Sequence, residues 1–554
     1  MSKLVLLGDE AIGQGALDAG LSGVYAYPGT PSTEITEYIQ RSKEARDRGL
    51  HAEWSANEKT AMEAGLGMSY AGKRAMVCMK HVGLNVAADA FINAGMTGVN
   101  GGLVVVVADD PSMHSSQNEQ DSRFYGKFSM VPVLEPSSQQ EAYDMVRYGF
   151  DLSEKFTLPV MLRITTRMAH SRSTVERGGS KVENELKLPT DLKQFILLPS
   201  IARMKYKALL TMQEKLQQES REAGMNYLEA GADRSRGVIA CGLAYNYYKE
   251  VAIEAGLKYP LLKISQYPVP PEMLDEFVHG VDEVVVLEEG APLLEESLTG
   301  LLETKYAIRG RLDGLLPRDG ELTPVLVKKA MDLPVEAGRE VPEVVKSRPP
   351  ALCKGCGHID MYNALNEALE PYGPGRVFSD IGCYTLGALP PYNAINTCVD
   401  MGASVTMAKG ASDAGFRPSV AVIGDSTFTH SGMTGLLDAV VEETPVTIII
   451  SDNSTTGMTG GQKSHATNRL EEICKGIGVE PEHVRLMNPL RKHHEENREI
   501  ISKELAYEGV SVIIAQRECI QTAKRSKTTP HQSPVTPHPS PLTSHPSPVT
   551  NHQI

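Results

Sequence analysis

Two apolar segments in the last third of the chain each end in polar residues that could do chemistry. The first segment runs into residues 424–426, and the second runs into residues 452–453. The 25 residues between these two groups are about enough for a helix that returns the chain to a neighbouring parallel strand. We therefore expect Asp425 and Asn453 to lie side by side.

The residue types at these two strand ends suit a bound cation and a phosphate. A carboxylate, an amide oxygen and a backbone carbonyl are hard ligands for Mg²⁺, which shares its other positions with phosphate oxygens and water. Gly424 would let the backbone approach a phosphate, and helix amides after Ser426 would stabilise negative charge. The pattern predicts a phosphorylated cofactor held through Mg²⁺. The plain alternative is an ordinary strand–helix turn with an incidental aspartate.

Composition excludes several classes of function. The chain has 554 residues, 41% of them hydrophobic, and a formal net charge of −14, which suits about three globular domains. The acidic balance argues against general nucleic-acid binding, because neutralising phosphates requires a basic surface. No apolar run approaches the ~20 residues of a membrane span, and the N-terminus turns polar too soon for a signal peptide. We expect a cytoplasmic protein without nucleic-acid or membrane partners.

Short apolar segments alternate with helical stretches along most of the chain. The run 103–108 does not alternate with polar residues, which is typical of a strand buried on both faces of a parallel sheet. We expect an α/β fold of doubly wound parallel sheets, with ligands beyond the carboxyl ends of the strands. The predicted strands are 4–7, 24–27, 75–79, 103–108, 158–164, 237–241, 261–264, 283–287, 376–379, 418–423, 446–451 and 510–515.

Shifts in composition divide the chain into six predicted segments. The last contains histidines seven residues apart among recurring prolines, so it cannot bury a core and is predicted to be disordered. Its period suggests a tandem repeat read in frame, and a frameshift is one hypothesis for its origin; metal binding by the histidines is the alternative. The segments are α/β blocks at 1–175, 236–330 and 351–524, a connector at 176–235 with a helix over 208–223, a linker at 331–350 and the tail at 525–554.

The phosphate motif and several others resemble the 2-oxoacid:ferredoxin oxidoreductase superfamily, whose members use thiamine diphosphate. The usual thiamine motif has glycine where this chain has Ser426 and asparagine where it has Asp452. Together the motifs are similar to the large subunits of indolepyruvate ferredoxin oxidoreductases, over residues 1 to about 520. They lie at 27–35, 57–59, 80–85, 115–123, 348–358, 380–383 and 453–462.

The resemblance implies a fold and a reaction. It implies transketolase-like architecture, with a pyrimidine-binding first domain, a transketolase-C-terminal-like middle domain and a diphosphate-binding third domain. The implied reaction converts aryl pyruvates such as indolepyruvate and coenzyme A to aryl-acetyl-CoA and CO₂, with electrons passed to ferredoxin. A smaller β subunit and an α2β2 assembly are implied, and we expect dimerisation to complete the thiamine site between the first and third domains.

The resemblance also assigns roles to individual residues. Glu58 matches the carboxylate that activates the thiamine aminopyrimidine; the alternative is a first-turn glutamate that only complements the helix dipole. The other expected contacts are Thr30, Arg123 and His81 for the substrate, Gly424, Ser426, Gly402 and Ser404 for the diphosphate, and Asp425, Asn453 and the Thr455 carbonyl for Mg²⁺.

The chain has eight cysteines, and disulfides are not expected in a large intracellular protein. Related subunits place a CxxC pair, a loop cysteine and a cysteine after a late strand around a [4Fe–4S] cluster, which takes four thiolates. Zinc on the same thiolates is the alternative. The expected cluster ligands are Cys353, Cys356, Cys383 and Cys519, and the expected buried apolar cysteines are Cys78, Cys241, Cys398 and Cys474.

One departure from the family leaves two other functions open. Large subunits of this family normally continue into a ferredoxin-like domain rich in cysteines, and no such run follows Cys519. One alternative is a thiamine-dependent decarboxylase that protonates its carbanion and needs no cluster. The other is a non-catalytic remnant that binds its partner but cannot pass electrons.

Overall fold

The computed structural model describes residues 3–300, 305–336, 338, 340–346 and 350–528. Helices and strands alternate, and most strands join one of three larger sheets. Neighbouring strands of these sheets are parallel except at the edge of two of them. This arrangement confirms the predicted α/β fold with parallel sheets.

The first sheet has seven strands and is buried on both faces. Val104 and Val106 of its central strand pack into one core, whereas Val105 and Val107 pack into another. Burial on both faces explains why this strand is apolar without alternation. In order across the sheet the strands are Gln266–Tyr267, Val133–Leu134, Val160–Thr165, Leu103–Asp109, Ala75–Lys80, Gly23–Ala26 and His51–Trp54.

Helices of the first unit cover this sheet, and a long helix leads to the middle unit. The first unit's helices are Gly8–Asp18, Thr33–Arg41, Lys43–Asp47, Glu58–Tyr70, His81–Thr97, Arg123–Ser129, Gln139–Phe156 and Thr166–His170, and the connecting helix is Pro199–Glu222.

The middle unit has a five-stranded sheet and contributes one short strand to the first sheet. That strand, Gln266–Tyr267, pairs antiparallel with Val133–Leu134, so the two units share a sheet edge. In order, the middle strands are Ala307–Arg309, Glu283–Leu287, Gly237–Cys241, Leu261–Ile264 and Tyr227–Glu229, and the helices are Ala244–Ala255, Pro271–Val278, Leu293–Thr299 and Pro324–Ala330.

The third unit has five strands that are all parallel to their neighbours. Its strand order is Val377–Ser379, Val420–Gly424, Val446–Asp452, Val510–Gln516 and Val484–Met487. Its helices are Gly357–Leu369, Ala403–Asp413, Asp425–Thr427, Met433–Val441, Leu470–Ile477, His494–Leu505 and Ile520–Thr528, with a π-helical turn at Phe428–Gly432.

The predicted strand 4–7 is real but lies outside the parallel sheet. Lys3–Leu7 pairs antiparallel with Arg172–Glu176 in a separate two-stranded sheet. Val5 is 65% exposed, so only one face of this strand is buried. The prediction of a parallel strand at this position is therefore wrong.

Two helices differ from their predicted bounds. The connector helix begins at Pro199 rather than at 208, because proline suits the first turn of a helix. The last helix, Ile520–Thr528, runs past the predicted start of the tail at 525. The rest of the predicted tail, 529–554, lies outside the described residues. Within the described part of the chain, no helix is both long and apolar enough to cross a membrane.

Candidate active site

A cavity of about 890 Å³ lies between the first and third units. It opens beyond the carboxyl ends of their strands, where a doubly wound sheet places its ligands. One chain supplies both walls, so the first and third units meet without a second copy, and the expected contribution of a dimer partner stays a prediction. The predicted site residues that line the cavity are Thr30, Glu58, Cys383, Gly402, Gly424, Asp425, Ser426, Asn453 and Thr455.

Glu58 enters this cavity from the first turn of a capped helix. The Asn57 side chain accepts a hydrogen bond from the Thr60 amide at 2.8 Å, which fixes the start of Glu58–Tyr70. The Asn57 amide also donates to the carbonyl of His430 at 2.8 Å. The cap that positions Glu58 is therefore bonded directly to the third unit.

The Glu58 carboxylate forms a buried pair with a histidine. Glu58 Oε2 lies 2.7 Å from His430 Nε2, and these residues are 6% and 3% exposed. The other imidazole nitrogen, Nδ1, lies 2.6 Å from the Ser431 hydroxyl. A Cβ added at Gly83 would lie 2.5 Å from Glu58 Oε1, so only glycine at 83 leaves room for the carboxylate in this position.

Asp425 and Asn453 lie at the ends of adjacent parallel strands. Gly424, the last residue of the strand Val420–Gly424, is in register with Ser451 of the neighbouring strand Val446–Asp452. Asp425 therefore follows its strand at the level at which Asp452 ends the neighbouring strand. Asp425 is 2% exposed, and its Oδ2 has no hydrogen-bond partner among the described residues. Burial raises the pKa of Asp425 to about 7. A buried carboxylate oxygen without a donor, in a cavity that Asn453 also lines, fits a hard cation such as Mg²⁺.

The turn after Asn453 presents backbone to the same cavity. Ser454 has a positive φ of 58°, and the Thr455 amide donates to Asn453 Oδ1 at 3.1 Å. Both Asn453 and Thr455 line the cavity. The turn therefore carries a side-chain oxygen and a nearby carbonyl, as the predicted cation site requires.

Ser426 connects the two walls of the cavity. Its hydroxyl lies 2.9 Å from the Tyr27 hydroxyl of the first unit and 2.9 Å from Thr456 Oγ1 of the third. A glycine at this position, as in the usual thiamine motif, would lack both hydrogen bonds. The departure from the motif thus adds a contact between the units.

Gly402 and Ser404 differ in their placement. Gly402 lines the cavity with a φ of 96°, whereas the Ser404 hydroxyl donates to the buried carboxylate of Asp380 at 2.6 Å. Burial raises the pKa of Asp380 to about 6. Asp380 also accepts from the Gly402 amide at 3.0 Å and holds this loop in place. Ser404 is not among the residues that line the cavity, so its expected diphosphate contact is wrong.

Arg123 does not line the cavity, so its prediction as a substrate ligand is wrong. Its guanidinium is fully buried and forms ion pairs with Asp121 at 2.5 Å and Glu288 at 3.0 Å. It also donates to the Tyr267 hydroxyl at 3.1 Å. Because Glu288 and Tyr267 belong to the middle unit, Arg123 joins two units rather than binding substrate.

His81 does not line the cavity either, but Lys80, the residue before it, does. His81 is 1% exposed, and its Nε2 lies 3.3 Å from the Asn118 carbonyl. Lys80 lines the cavity and donates from Nζ to the Ser115 carbonyl at 2.6 Å. Burial lowers the pKa of Lys80 to about 8, with Asp110 opposing the shift. Its place at the end of a strand, at the start of the motif 80–85, is the sequence signal that could identify it.

The four predicted cluster cysteines lie together at the edge of the cavity. The Cys356 amide donates to the Cys353 carbonyl at 2.9 Å, and the Cys519 amide donates to the Asn453 carbonyl at 3.1 Å. Burial, with a smaller contribution from Cys356, Cys519 and Cys353, raises the pKa of Cys383 to about 12. Cys383 is therefore close to all three of the others.

The spacing of these sulfurs is too open for a compact zinc site. Of these four described residues, no three have sulfurs within 4.8 Å of one another, whereas Zn–S bonds of ~2.3 Å bring tetrahedral sulfurs to about 3.8 Å. An iron–sulfur cluster is larger and takes four thiolates, so the residues fit the cluster better than the ion. Of the other cysteines, Cys78, Cys241 and Cys474 are buried as expected, but Cys398 is exposed, so that prediction is wrong.

The fold and site define a thiamine-diphosphate-binding α/β protein, and profile comparison agrees. Residues 14–234 match the family described as pyruvate flavodoxin/ferredoxin oxidoreductase, thiamine diphosphate-binding. Residues 380–515 match the C-terminal thiamine pyrophosphate-binding domain of thiamine pyrophosphate enzymes.

Full-length relatives give the particular family. Indolepyruvate oxidoreductase subunit IorA of Archaeoglobus fulgidus is 40% identical, with 93% of this chain and 86% of the relative covered. The IorA subunit of Methanothermobacter thermautotrophicus is 37% identical, with 95% and 88% covered. The chain belongs to the family of indolepyruvate oxidoreductase IorA subunits, and it is therefore an enzyme subunit of the oxidoreductase class.

Proposed function

We propose that this chain is the catalytic subunit of an indolepyruvate:ferredoxin oxidoreductase. The reaction takes an aryl pyruvate, coenzyme A and two oxidised ferredoxins to aryl-acetyl-CoA, CO₂, two reduced ferredoxins and a proton. The observation that carries the proposal is the convergence on one cavity of Glu58, the Asp425–Asn453 pair and Cys383, which belongs to the group of four clustered cysteines.

In this proposal the third unit holds the diphosphate through Mg²⁺. Asp425 Oδ2, the Asn453 side-chain oxygen and the Thr455 carbonyl would be the protein ligands, because all three residues line the cavity and Asp425 Oδ2 has no donor among the described residues. Gly424 and Gly402 also line the cavity, and an added Cβ would lie 2.6 Å from Tyr384 and 2.5 Å from Ser431, so this packing of the cavity backbone favours glycine at both positions. Bound thiamine diphosphate would supply the carbanion stabilisation that cleavage of a 2-oxo acid requires.

Glu58 and His430 would control the proton at the aminopyrimidine end of the cavity. Glu58 would exchange a proton with the aminopyrimidine ring of the cofactor. The His430 hydrogen bond at 2.7 Å fixes the carboxylate, and Ser431 orients the imidazole through its other nitrogen at 2.6 Å. His430 is therefore proposed as a positioning residue for Glu58.

Lys80 and Thr30 would bind the substrate carboxylate. Lys80 begins the turn that leads to Gly83, and Gly83 contacts Glu58, so the lysine lies near the proposed reacting end of the cavity. The Ser115 hydroxyl donates to the Thr30 carbonyl at 3.2 Å, and the Ser115 carbonyl accepts from Lys80. A partly desolvated ammonium attracts an anion more strongly than a surface lysine does.

The cysteine group would carry electrons out of the site. Cys383 lines the cavity, and Cys519 is bonded through its amide to the carbonyl of Asn453. A [4Fe–4S] cluster on these thiolates would therefore border the proposed cofactor site. This proximity favours the oxidative reaction over a simple decarboxylase, for which the cluster would have no use.

Two protein partners complete the proposal. A smaller β subunit would assemble with this chain, as an α2β2 complex, and ferredoxin would accept the electrons. The family name identifies the relatives as subunits of a larger enzyme.

The test is an anaerobic assay of the complex of this chain with its β subunit. Indolepyruvate, phenylpyruvate and pyruvate are compared in the presence of coenzyme A, with ferredoxin or viologen reduction as the readout. We expect reduction to require coenzyme A and to be fastest with an aryl pyruvate. Aldehyde and CO₂ release without acceptor reduction would identify the decarboxylase, and no turnover at full thiamine occupancy would identify the remnant.

A further inference from the structure

A second group of potential ligands lies outside the cavity, where three helices of the first unit meet. Asp9 and Glu34 each occupy the second position of their helices, and His170 ends a third. One oxygen of each acid and one imidazole nitrogen lie within 4.8 Å of one another. None of these residues lines the thiamine cavity, and none is used in the proposed reaction.

The Asp9 side chain is buried without a hydrogen-bond donor. It is 0% exposed, and neither of its carboxylate oxygens has a partner among the described residues. Glu34 Oε2, whose carboxylate adds to burial in raising the pKa of Asp9, makes no hydrogen bond there and forms a long ion pair with His170 at 3.7 Å. Two adjacent carboxylates in this setting need either a cation or a proton between them, because an unpaired buried charge is costly.

The backbone holds these residues in their positions. A Cβ at Gly8 would lie 2.1 Å from the Met168 carbonyl oxygen, so only glycine lets the start of the first helix approach the helix that ends at His170. The Gly8 amide also donates to the Ser171 carbonyl at 3.2 Å. Asp9 and His170 are therefore brought together by close backbone packing rather than by flexible side chains.

We propose that Asp9, Glu34 and His170 bind a divalent transition-metal ion of the Zn²⁺ type. Glu34 Oε2 and His170 Nε2 lie 3.7 Å apart, close to the ~3.4 Å that tetrahedral bonds of about 2.1 Å produce. An imidazole beside carboxylates favours zinc over the all-oxygen shell that Mg²⁺ prefers. The side chains of Glu34 and His170 are 35% and 36% exposed, so the group lies near the surface, although Glu34 Oε2 itself is buried.

The rival occupant is a proton shared by the two carboxylates, and Asp9→Asn separates the two cases. Asparagine has the shape of protonated aspartate and can donate to Glu34, but it supplies no charged ligand. If a shared proton joins the two carboxylates, this substitution should leave the metal content and the fold unchanged. A metal site would lose a ligand and with it most of its affinity.

The experiment measures zinc in anaerobically purified protein with its cofactors bound. Wild type, Asp9→Asn, His170→Ala and His114→Ala are dialysed against micromolar ZnCl₂, and metal content and unfolding temperature are recorded. His114 is the control because it pairs with Glu321 elsewhere, at 3.5 Å. We expect wild type and His114→Ala to retain one more zinc per chain than Asp9→Asn and His170→Ala. Zinc should raise the unfolding temperature of wild type and His114→Ala but not that of the two site variants.

Equal zinc content in wild type, Asp9→Asn and His170→Ala would overturn the proposal and establish the shared proton. If Asp9→Asn does not fold, His170→Ala gives the same comparison, because His170 lies at the partly exposed edge of the group. Thiamine binding is measured in parallel, so a failure of the proposed reaction would not be mistaken for a failure of this site.

Discussion

The carboxylate of Glu58 and the imidazole of His430 lie 2.7 Å apart although 372 residues separate them in the chain. Each residue is buried, and each belongs to a different unit of the fold. The amide side chain of Asn57 adds a second bond to His430, at 2.8 Å. The reacting end of the cavity is therefore fixed by the third unit as much as by the helix that carries Glu58.

Removing either partner of this pair should lower turnover without preventing cofactor binding. Glu58→Gln loses the group that exchanges a proton, so we expect kcat to fall by about 10²–10⁴-fold. His430→Phe keeps a ring but frees the carboxylate, and a fall of about 10–100-fold is expected. Steady-state kinetics across pH and thiamine titration measure both effects, and His430→Phe should also shift the pH profile.

Glu63→Gln is the matched control for this pair. Glu63 lies further along the same helix and forms an exposed ion pair with Lys59. Its replacement should leave kcat within about twofold, since exposed pairs contribute little. Equal losses in Glu63→Gln and Glu58→Gln would argue against a special role for Glu58.

Adding one methyl group at Gly83 should disturb Glu58 directly. The new Cβ would lie 2.5 Å from Glu58 Oε1, well inside van der Waals contact, so the carboxylate must move. We expect Gly83→Ala to lower kcat at least about tenfold while the protein stays folded. Gly67→Ala is the control, because nothing lies within 4 Å of its added Cβ, and it should stabilise the helix by about 1 kcal/mol. Full activity of Gly83→Ala would show that the close approach of Gly83 to Glu58 has no functional role.

The parts of the site that could be predicted from sequence depend on local geometry. Asp425 and Asn453 follow adjacent parallel strands, and that order follows from the length of one strand–helix–strand unit. Glu58 is placed by its own helix cap. In both cases the position of the functional group is set by residues close to it in the chain.

The wrong predictions concern residues whose partners are distant in sequence. The sequence predicts Arg123 as a substrate ligand, but Glu288 and Tyr267 occupy its guanidinium from the middle unit. It predicts Ser404 as a phosphate contact, but this serine donates to Asp380, 24 residues earlier. No pattern near Arg123 or Ser404 shows these pairings, because they depend on how separate segments pack.

Lys80 should make substrate binding dependent on pH. Burial lowers its pKa to about 8, so the ammonium is present below that pH and is lost as pH rises through it. We expect KM for the 2-oxo acid to rise above pH 8, and this rise to disappear in Lys80→Met, whose KM is high throughout. The measurement is KM against pH from 6.5 to about 9.5, with Lys80→Arg as the variant that keeps the charge. A wild-type profile unchanged by Lys80→Met would exclude a role for the ammonium.

The cysteine group should account for the bound iron. Cys383→Ser and Cys519→Ser each remove a proposed ligand, so we expect loss of most of the iron and of the absorbance of the cluster. Cys398→Ser is the control, because that thiol is exposed and is not among the four clustered cysteines. Iron and sulfide analysis of anaerobically purified protein gives the readout. Iron retained in both variants but lost in Cys398→Ser would require a different ligand set.

Arg123 should affect stability rather than substrate affinity. Arg123→Met leaves Glu288 without its buried charge partner and leaves Asp121 with the more distant Arg163 at 3.7 Å, and breaking such a buried pair costs about 3–5 kcal/mol. Arg167→Met, whose ion pair with Glu321 is partly exposed, should cost less than about 1 kcal/mol. Urea unfolding compares the two variants, and KM for the 2-oxo acid is measured on the folded protein. If Arg123→Met instead kept its stability and raised KM, the arginine would bind substrate after all, and its buried ion pairs would have to break in the working enzyme.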